Sequence, residues 1–244
     1  MDASGKVALI TGGAVRVGRA LTLALAELGA HVIINYRRSA AAAQETAAAA
    51  RAYGVEALPI QADLGDPEAV AALVTQGQEA FGGVDILINS ASPFVRGGLQ
   101  ETSLATWQEL QRVLLEAPFL LAQALAPGMQ ARGAGLIVNI LDTGAFDVWP
   151  DYLAHSVGKS GLWALTRNLA VALAPAVRVN AIVPGPVLPP PGMSSKRREQ
   201  VAAQTLLRRW GDPADIAAAL RYLVAADYVT GEALFVDGGQ RWRR

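Results

Sequence analysis

The chain is predicted to fold as an α/β domain, a doubly wound parallel sheet of about seven strands with helices on both faces. Three observations carry that expectation. Apolar runs alternate with helical patterns from end to end. Nearly every apolar run is continuous, as in strands covered on both sides. The first run, Val7 to Ile10, breaks into Thr11-Gly12-Gly13-Ala14-Val15-Arg16-Val17-Gly18 and then into a helix with Leu21, Leu25 and Leu28 on one side.

The elements follow in order. Ala30 to Tyr36 reads as the second strand, and alanine-rich Ser39 to Tyr53 as a helix, alanine being the best helix former. Val55 to Ile60 is a third strand, ending at Ala62-Asp63-Leu64. Pro67 to Phe81 is a helix with proline in its first turn, where the missing N–H costs nothing. Gly83 to Asn89 is a fourth strand and Ser90 to Gln100 a loop. Ser103 to Gln130 is a long helix with Pro118 as a kink site. Leu136 to Leu141 is a strand, Tyr152 to Leu173 a long helix, and Val177 to Val183 a strand. Pro184 to Gly192 holds five prolines and two glycines and reads as an irregular loop. Helices over Ser195 to Leu206 and Pro213 to Val224 precede a short strand, Ala233 to Val236.

No stretch reads as an interdomain linker, so residues 1–244 are expected to form one domain. The segment 186–205 lies where a substrate loop would sit. The 244 residues are 52% hydrophobic and 17% charged, a composition that buries a core. The 21 basic and 21 acidic residues cancel, which argues against a nucleic-acid surface. The clusters Lys196-Arg197-Arg198 and Arg241, Arg243, Arg244 read as solvated loop and tail. With no cysteine, thiolate chemistry and disulfides are excluded. No cluster of His, Asp and Glu has metal-ligand spacing. No apolar run has the length of a membrane span and no charged-then-apolar leader opens the chain, so a cytoplasmic protein without a membrane partner is expected.

A buried strand feeding glycines and a helix start makes an anion site, because backbone N–H groups and the helix dipole converge there. Glycines at this point are also ordinary turn residues, and arginine at position 16 breaks the G-x-G-x-x-G spacing. Ligands of such sheets bind outside the carboxyl ends of the strands. Those ends are Thr11, Tyr36, Asp63, Asn89, Asp142 and Pro184. After the second strand, an acidic residue would hold a ribose hydroxyl. Val32 to Gln44 contains none and offers Arg37, Arg38 and Ser39 instead. Guanidinium groups suit a 2′-phosphate, so the expected cofactor is NADP(H).

These residues resemble the short-chain dehydrogenase/reductase family, of Rossmann type, along essentially the whole chain. Thr11-Gly12…Gly18, Asp63, Asn89-Ser90-Ala91-Ser92, Lys159, Pro184-Gly185 and Val236-Asp237-Gly238-Gly239 fall in the family's order and spacing. Within it the chain looks most like the pteridine reductases. The shared features are Arg16 in the glycine turn, Tyr36-Arg37-Arg38-Ser39, the Asn89 to Phe94 segment, and an aspartate, Asp142, thirteen residues before the catalytic-tyrosine position.

The resemblance implies roles residue by residue. Thr11, Gly12, Val15, Arg16, Val17 and Gly18 would hold the pyrophosphate. Tyr36, Arg37, Arg38 and Ser39 would surround the 2′-phosphate, and Ala62, Asp63 and Leu64 the adenine. Asn89, Ala91 and Ser92 would line ribose and phosphates, Lys159 would bond the nicotinamide ribose, and Pro184 and Gly185 would touch the nicotinamide. Arg16, Ser92, Phe94, Asp142, Trp149 and His155 would meet a flat, pterin-like substrate. A homotetramer is the assembly implied.

The departures matter as much. The family's tyrosine, four residues before the lysine, is His155 here, and Tyr152 lies too far along the helix to replace it. The asparagine that completes a proton relay appears as Leu114. An imidazole, with a free pKa of about 6.5, could supply the proton near neutrality, with Asp142 and Lys159 tuning it. Asp142, His155 and Lys159 are therefore the expected catalytic residues. Three functions compete: an NADPH-dependent reductase of a small planar carbonyl or imine, best a pterin or dihydropterin; a catalytically impaired NADPH-binding protein; and a 3-oxoacyl-thioester reductase, which expects tyrosine and serine at positions 155 and 142. Asp151 is an expected helix cap, His31 a structural residue, and Phe146, Trp149, Met193 and Trp210 candidates for pocket wall or core.

Overall fold

The structure is a computed structural model, described over residues 1–190 and 192–243. Pro191 and Arg244, named above in the proline-rich loop and basic tail, lie outside the described residues. Within them the strands are β1 (Val7–Ile10), β2 (His31–Tyr36), β3 (Ala57–Gln61), β4 (Ile86–Asn89), β5 (Gly135–Ile140), β6 (Val177–Pro184) and β7 (Ala233–Val236). They form one sheet in the order β3-β2-β1-β4-β5-β6-β7, every neighbour parallel. The order reverses direction between β1 and β4, and the carboxyl ends flanking that switch open a crevice.

The helices are α1 (Arg16–Glu27), α2 (Ala40–Arg51), α3 (Pro67–Phe81), α4 (Leu104–Gln111), α5 (Ala117–Ala131), α6 (Leu153–Leu173), α7 (Ser195–Ala202) and α8 (Pro213–Ala225). One apolar layer lies under α1, α2 and α8, with Ile10, Leu21, Leu25, Ile34 and Leu220 fully buried. The other lies under α3 and α5, with Leu9, Leu73, Leu87, Leu121 and Ile137 fully buried. Strand β1, buried on both faces, is an unbroken apolar run, and β2, β5 and β6 are apolar apart from His31, Asn35, Asn139, Arg178 and Asn180 within them.

Helix ends are written in short-range chemistry. The Asp66 side chain accepts from Glu68 N, Pro67 opens α3, and Gly82 closes it at φ +76°, a backbone conformation glycine adopts without strain. Asp212 and Asp215 make a reciprocal capping box at α8. Helix α7 stops at Ala202 and buries none of its side chains, so the helix expected to reach Leu206 ends a turn early.

The long helix expected from Ser103 to Gln130 is instead α4 and α5 joined by a wide π turn, Arg112–Glu116. The reason is Pro118, whose ring would strike the carbonyl four residues back, at Leu114. Widening the turn makes room for it. Gly158 and Gly161 let α6 approach this turn closely: a Cβ on Gly158 would sit 2.9 Å from Leu114 Cδ1, and one on Gly161 2.9 Å from Leu115 Cδ2. His31 is structural, accepting from Glu56 N at 3.0 Å and stacking on Phe81.

Candidate active site

A cavity of about 530 Å³ occupies the crevice at the sheet's switch point. Its wall includes Gly12, Val15, Arg16, Val17, Gly18, Arg37, Ala62, Asp63, Leu64, Ala91, Ser92, Asp142, Lys159, Pro184 and Gly185, so fifteen expected site residues converge there. Asn35, Ser90, Pro93, Val113, Ile140, Leu141 and Pro186 to Leu188 complete it.

The glycine turn is a tight cradle. Gly12 sits at φ +59°, with space for a Cβ limited by Ala91 Cα at 3.1 Å. A Cβ on Gly18 would lie 2.1 Å from the Gly12 carbonyl oxygen, so only hydrogen fits. Arg16 also has a left-handed backbone, φ +53°, and its Nη2 donates to Leu188 O at 2.9 Å, tying the turn to the 186–205 segment.

Behind the turn stands a polar scaffold. Asn35 accepts from Gly12 N and donates to Ala62 O, its own carbonyl accepts from Gly13 N, and the Thr22 hydroxyl reaches Gly13 O and Gly18 O. Thr46 donates to Ala14 O. Of these, Asn35 carried a legible signal, a polar residue directly after the apolar run Val32 to Ile34 and still within the second strand.

Several expected contacts lie off the cavity wall. Thr11 is buried, and its hydroxyl accepts from Ser90 N and Ala91 N. It clamps the β4 loop to β1. Asn89 is buried and donates to Asn139 Oδ1 at 2.8 Å, while its own Oδ1 has no partner. Tyr36 packs against the core as β2 ends. Arg38 and Ser39 are exposed outside the cavity. Arg37 is already paired, with Asp63 Oδ2 at 3.0 Å and Glu109 Oε1 at 3.4 Å.

Asp142 begins a short 3₁₀ turn, Thr143–Ala145, and its Oδ1 accepts from Gly144 N at 2.9 Å. Its Oδ2 lies 2.6 Å from His155 Nε2. His155 Nδ1 lies 3.1 Å from Pro93 O. A carbonyl only accepts, so Nδ1 donates there. The carboxylate therefore faces Nε2 across the pair's remaining proton position.

His155 itself is not on the wall. Its side chain is 1% exposed against 21% for Asp142. Trp149 lies parallel to the imidazole at 6.4 Å between centroids, and Phe94 meets it edge-on at 4.8 Å. Phe94 also stacks on Tyr152 at 4.5 Å. Phe94 and Trp149, both expected to meet a substrate, flank the imidazole and lie off the cavity. A parallel bridge between Gly97 and Tyr152 pins this loop to the start of α6. Asp151 does not cap α6: it pairs with Arg96 at 2.8 Å, and the cap position falls to Tyr152 without a side-chain bond. Phe146 packs on Trp163 and Phe235, and Trp210 donates to Arg198 O. Neither these nor Met193 reach the cavity.

Lys159, only 2% exposed, donates from Nζ to Ile140 O at 2.7 Å. Burial pushes its pKa down, partly opposed by the Asp142 charge. Burial alone would raise the Asp142 pKa, but the His155 hydrogen bond, the Lys159 and His155 charges and Gly144 N outweigh it and hold the carboxyl below its ordinary range.

Residues 13–241 match the family described as enoyl-(acyl carrier protein) reductase. Dehydrogenase/reductase SDR family member 4 from Sus scrofa is 32% identical, covering 96% of this chain and 86% of its own. The chain belongs to the short-chain dehydrogenase/reductase family. The 3-oxoacyl-[acyl-carrier-protein] reductase of Synechocystis is 31% identical, covering 97% of each chain. Among solved structures, FolM alternative dihydrofolate reductase 1 from Brucella canis, complexed with NADP, superposes with a TM-score of 0.93 at 32% identity, covering 100% of this chain and 96% of its own. Among the described residues, no helix is long and apolar enough to cross a membrane.

Proposed function

We propose that the protein is an NADPH-dependent reductase of a small planar imine or carbonyl compound, with dihydropterins as the substrate class. The observation that carries it is the Asp142–His155 contact of 2.6 Å, with Asp142 and Lys159 on the cavity wall that also holds Pro184 and Gly185. The likeness to FolM supports the substrate class.

The cofactor is NADP(H), and the cradle fits it. Gly18 packs its backbone against Gly12 too tightly for a side chain, which keeps the turn compact at the start of α1, and no Asp or Glu follows β2 before Glu45. Gly12, Val17 and Gly18 would receive the pyrophosphate, Arg38 and Ser39 the 2′-phosphate, and Pro184 and Gly185 the nicotinamide. When bound, the reduced nicotinamide supplies the hydride. Lys159 orients the ribose and holds a positive charge beside the reacting end. Asp142 offers a carboxylate oxygen to the substrate's polar edge, and the Asp142–His155 pair handles the proton. Exposed Phe119, Val157, Val171 and Tyr222 on the helical faces support a homotetramer, and a cytoplasmic location goes with this reading.

One observation favours a second reading, an NADPH-binding protein that does not turn over: His155 is shut behind Phe94 and Trp149. Steady-state NADPH oxidation with dihydropterins, quinones, ketones and 3-oxoacyl thioesters separates the possibilities. Dihydropterin-dependent oxidation supports the first, and thioester-dependent oxidation would overturn its substrate class. Tight NADPH binding with no turnover on any compound would establish the second. His155→Phe is expected to lower turnover and leave NADPH binding intact.

A further inference from the structure

We infer that Asp142 is the group that passes the proton to the substrate, and that His155 is a positioning residue acting only through it. The inference rests on the reductase reading for its substrate, but its geometry is independent of turnover. His155 is 1% exposed and walled by Phe94 and Trp149, whereas Asp142 faces the cavity with 21% of its side chain accessible. Both ring nitrogens are occupied, Nδ1 by Pro93 O and Nε2 by Asp142 Oδ2. No ring atom is left to meet a substrate.

The pair nevertheless holds one transferable proton. With Nδ1 committed as a donor to a carbonyl, the second proton lies between Nε2 and Oδ2. Asp142 Oδ1 is fixed by Gly144 N, so Oδ2 is the oxygen that carries the proton across. The other titratable groups at this place are Lys159 on α6, whose charge favours the carboxylate, and Tyr152 at the start of α6, stacked on Phe94. On the side of α4 and the wide turn, Leu114 is buried against Gly158 and the Gln111 amide donates to Ala154 O at 2.8 Å, so no titratable group among the described residues faces the imidazole from there. The cavity is thus the pair's opening to solvent.

The step balances. The substrate carbon takes a hydride from the reduced nicotinamide, and its nitrogen or oxygen takes a proton from Asp142 Oδ2. Oδ2 takes its proton from His155 Nε2. The imidazole is left neutral with its proton on Nδ1, and water in the cavity returns a proton through Asp142.

The chain has two histidines, so His31→Gln leaves His155 as the single imidazole. Nitrogen NMR of that protein, without cofactor, is expected to show Nδ1 carrying a proton both with Asp142 and with Asp142→Asn, and an Nε2 signal that changes between the two. An Nδ1 without a proton, or an Nε2 signal that Asp142→Asn leaves unchanged, overturns the inference. In the wild-type chain, diethyl pyrocarbonate is expected to modify His31 and spare His155. Modification of both at similar rates overturns the enclosure. In turnover, Asp142→Asn is expected to lower kcat by about a hundredfold or more, and His155→Gln by less, with NADPH affinity and thermal midpoint of each confirming the fold. A larger loss for His155→Gln than for Asp142→Asn overturns the order of transfer. The spectroscopic and labelling results stand whether or not dihydropterins prove to be substrates, so the two readings fail separately.

Discussion

Lys159 Nζ and Ile140 O are 2.7 Å apart, a bond that pins a fully buried ammonium to the strand that delivers Asp142. Nearly all of the lysine's hydration is lost, and one carbonyl and a nearby carboxylate replace it. Its pKa is consequently lowered by burial. The unfolded chain then binds more protons than the folded one between the lowered value and the ordinary 10.5, so this residue makes stability rise with pH across that window. Lys159→Met should flatten the rise. Urea midpoints of the two proteins, followed from neutral pH upward, test this, and parallel curves would show that Lys159 is not the source.

Gly18 faces the Gly12 carbonyl at a distance no side chain tolerates. Gly18→Ala is expected to force the turn apart, costing about 1–3 kcal/mol in unfolding free energy. It should also weaken NADPH binding at least tenfold. Chemical denaturation and fluorescence titration measure the two losses. Wild-type affinity in the variant would show that the cradle does not contact the cofactor.

Arg16 combines a left-handed backbone with a bond to Leu188 O. Glycine relieves the strain and alanine does not. Arg16→Gly should therefore be more stable than Arg16→Ala by about 1 kcal/mol. Both should lose the tie to the proline-rich loop, read as faster proteolytic cleavage within 186–205. Equal stabilities would mean that the arginine sits in its turn without strain.

Arg37 and Arg38 are adjacent but differently engaged. Arg37 is held by Asp63 and Glu109, whereas Arg38 is exposed. Arg38→Ala should reduce the preference for NADPH over NADH by about tenfold, the scale of one charged hydrogen bond, and Arg37→Ala by less. Dissociation constants for both cofactors decide it, and a larger effect at Arg37 would show that NADPH breaks its ion pairs.

Much of the fold was legible because the signals were local. Continuous apolar runs, the Asp66-Pro67 cap and the Asp212–Asp215 box mark elements through neighbours in the chain, and α3 and β7 fall where expected. The wide turn at Arg112–Glu116 was not legible, because Pro118 announces strain but not whether a helix bends, breaks or widens. The cavity wall was largely legible, since strand ends and glycines converge by topology. Thr22 and Thr46, which hold the glycine turn from behind, were not, because their partners are backbone atoms brought to them by packing.

Chain order and residue type were enough to establish a parallel α/β sheet, a glycine cradle at its first strand, and the replacement of the usual tyrosine by His155. These depend on periodicity, short spacings and the identity of single residues. Which side of the Asp142–His155 pair meets the cavity was decided only in three dimensions. Phe94 and Trp149 come from separate loops and meet at the imidazole, next to the bridge between Gly97 and Tyr152. Side-chain packing between segments far apart in the chain turned a histidine expected at the substrate into one that reaches it only through an aspartate.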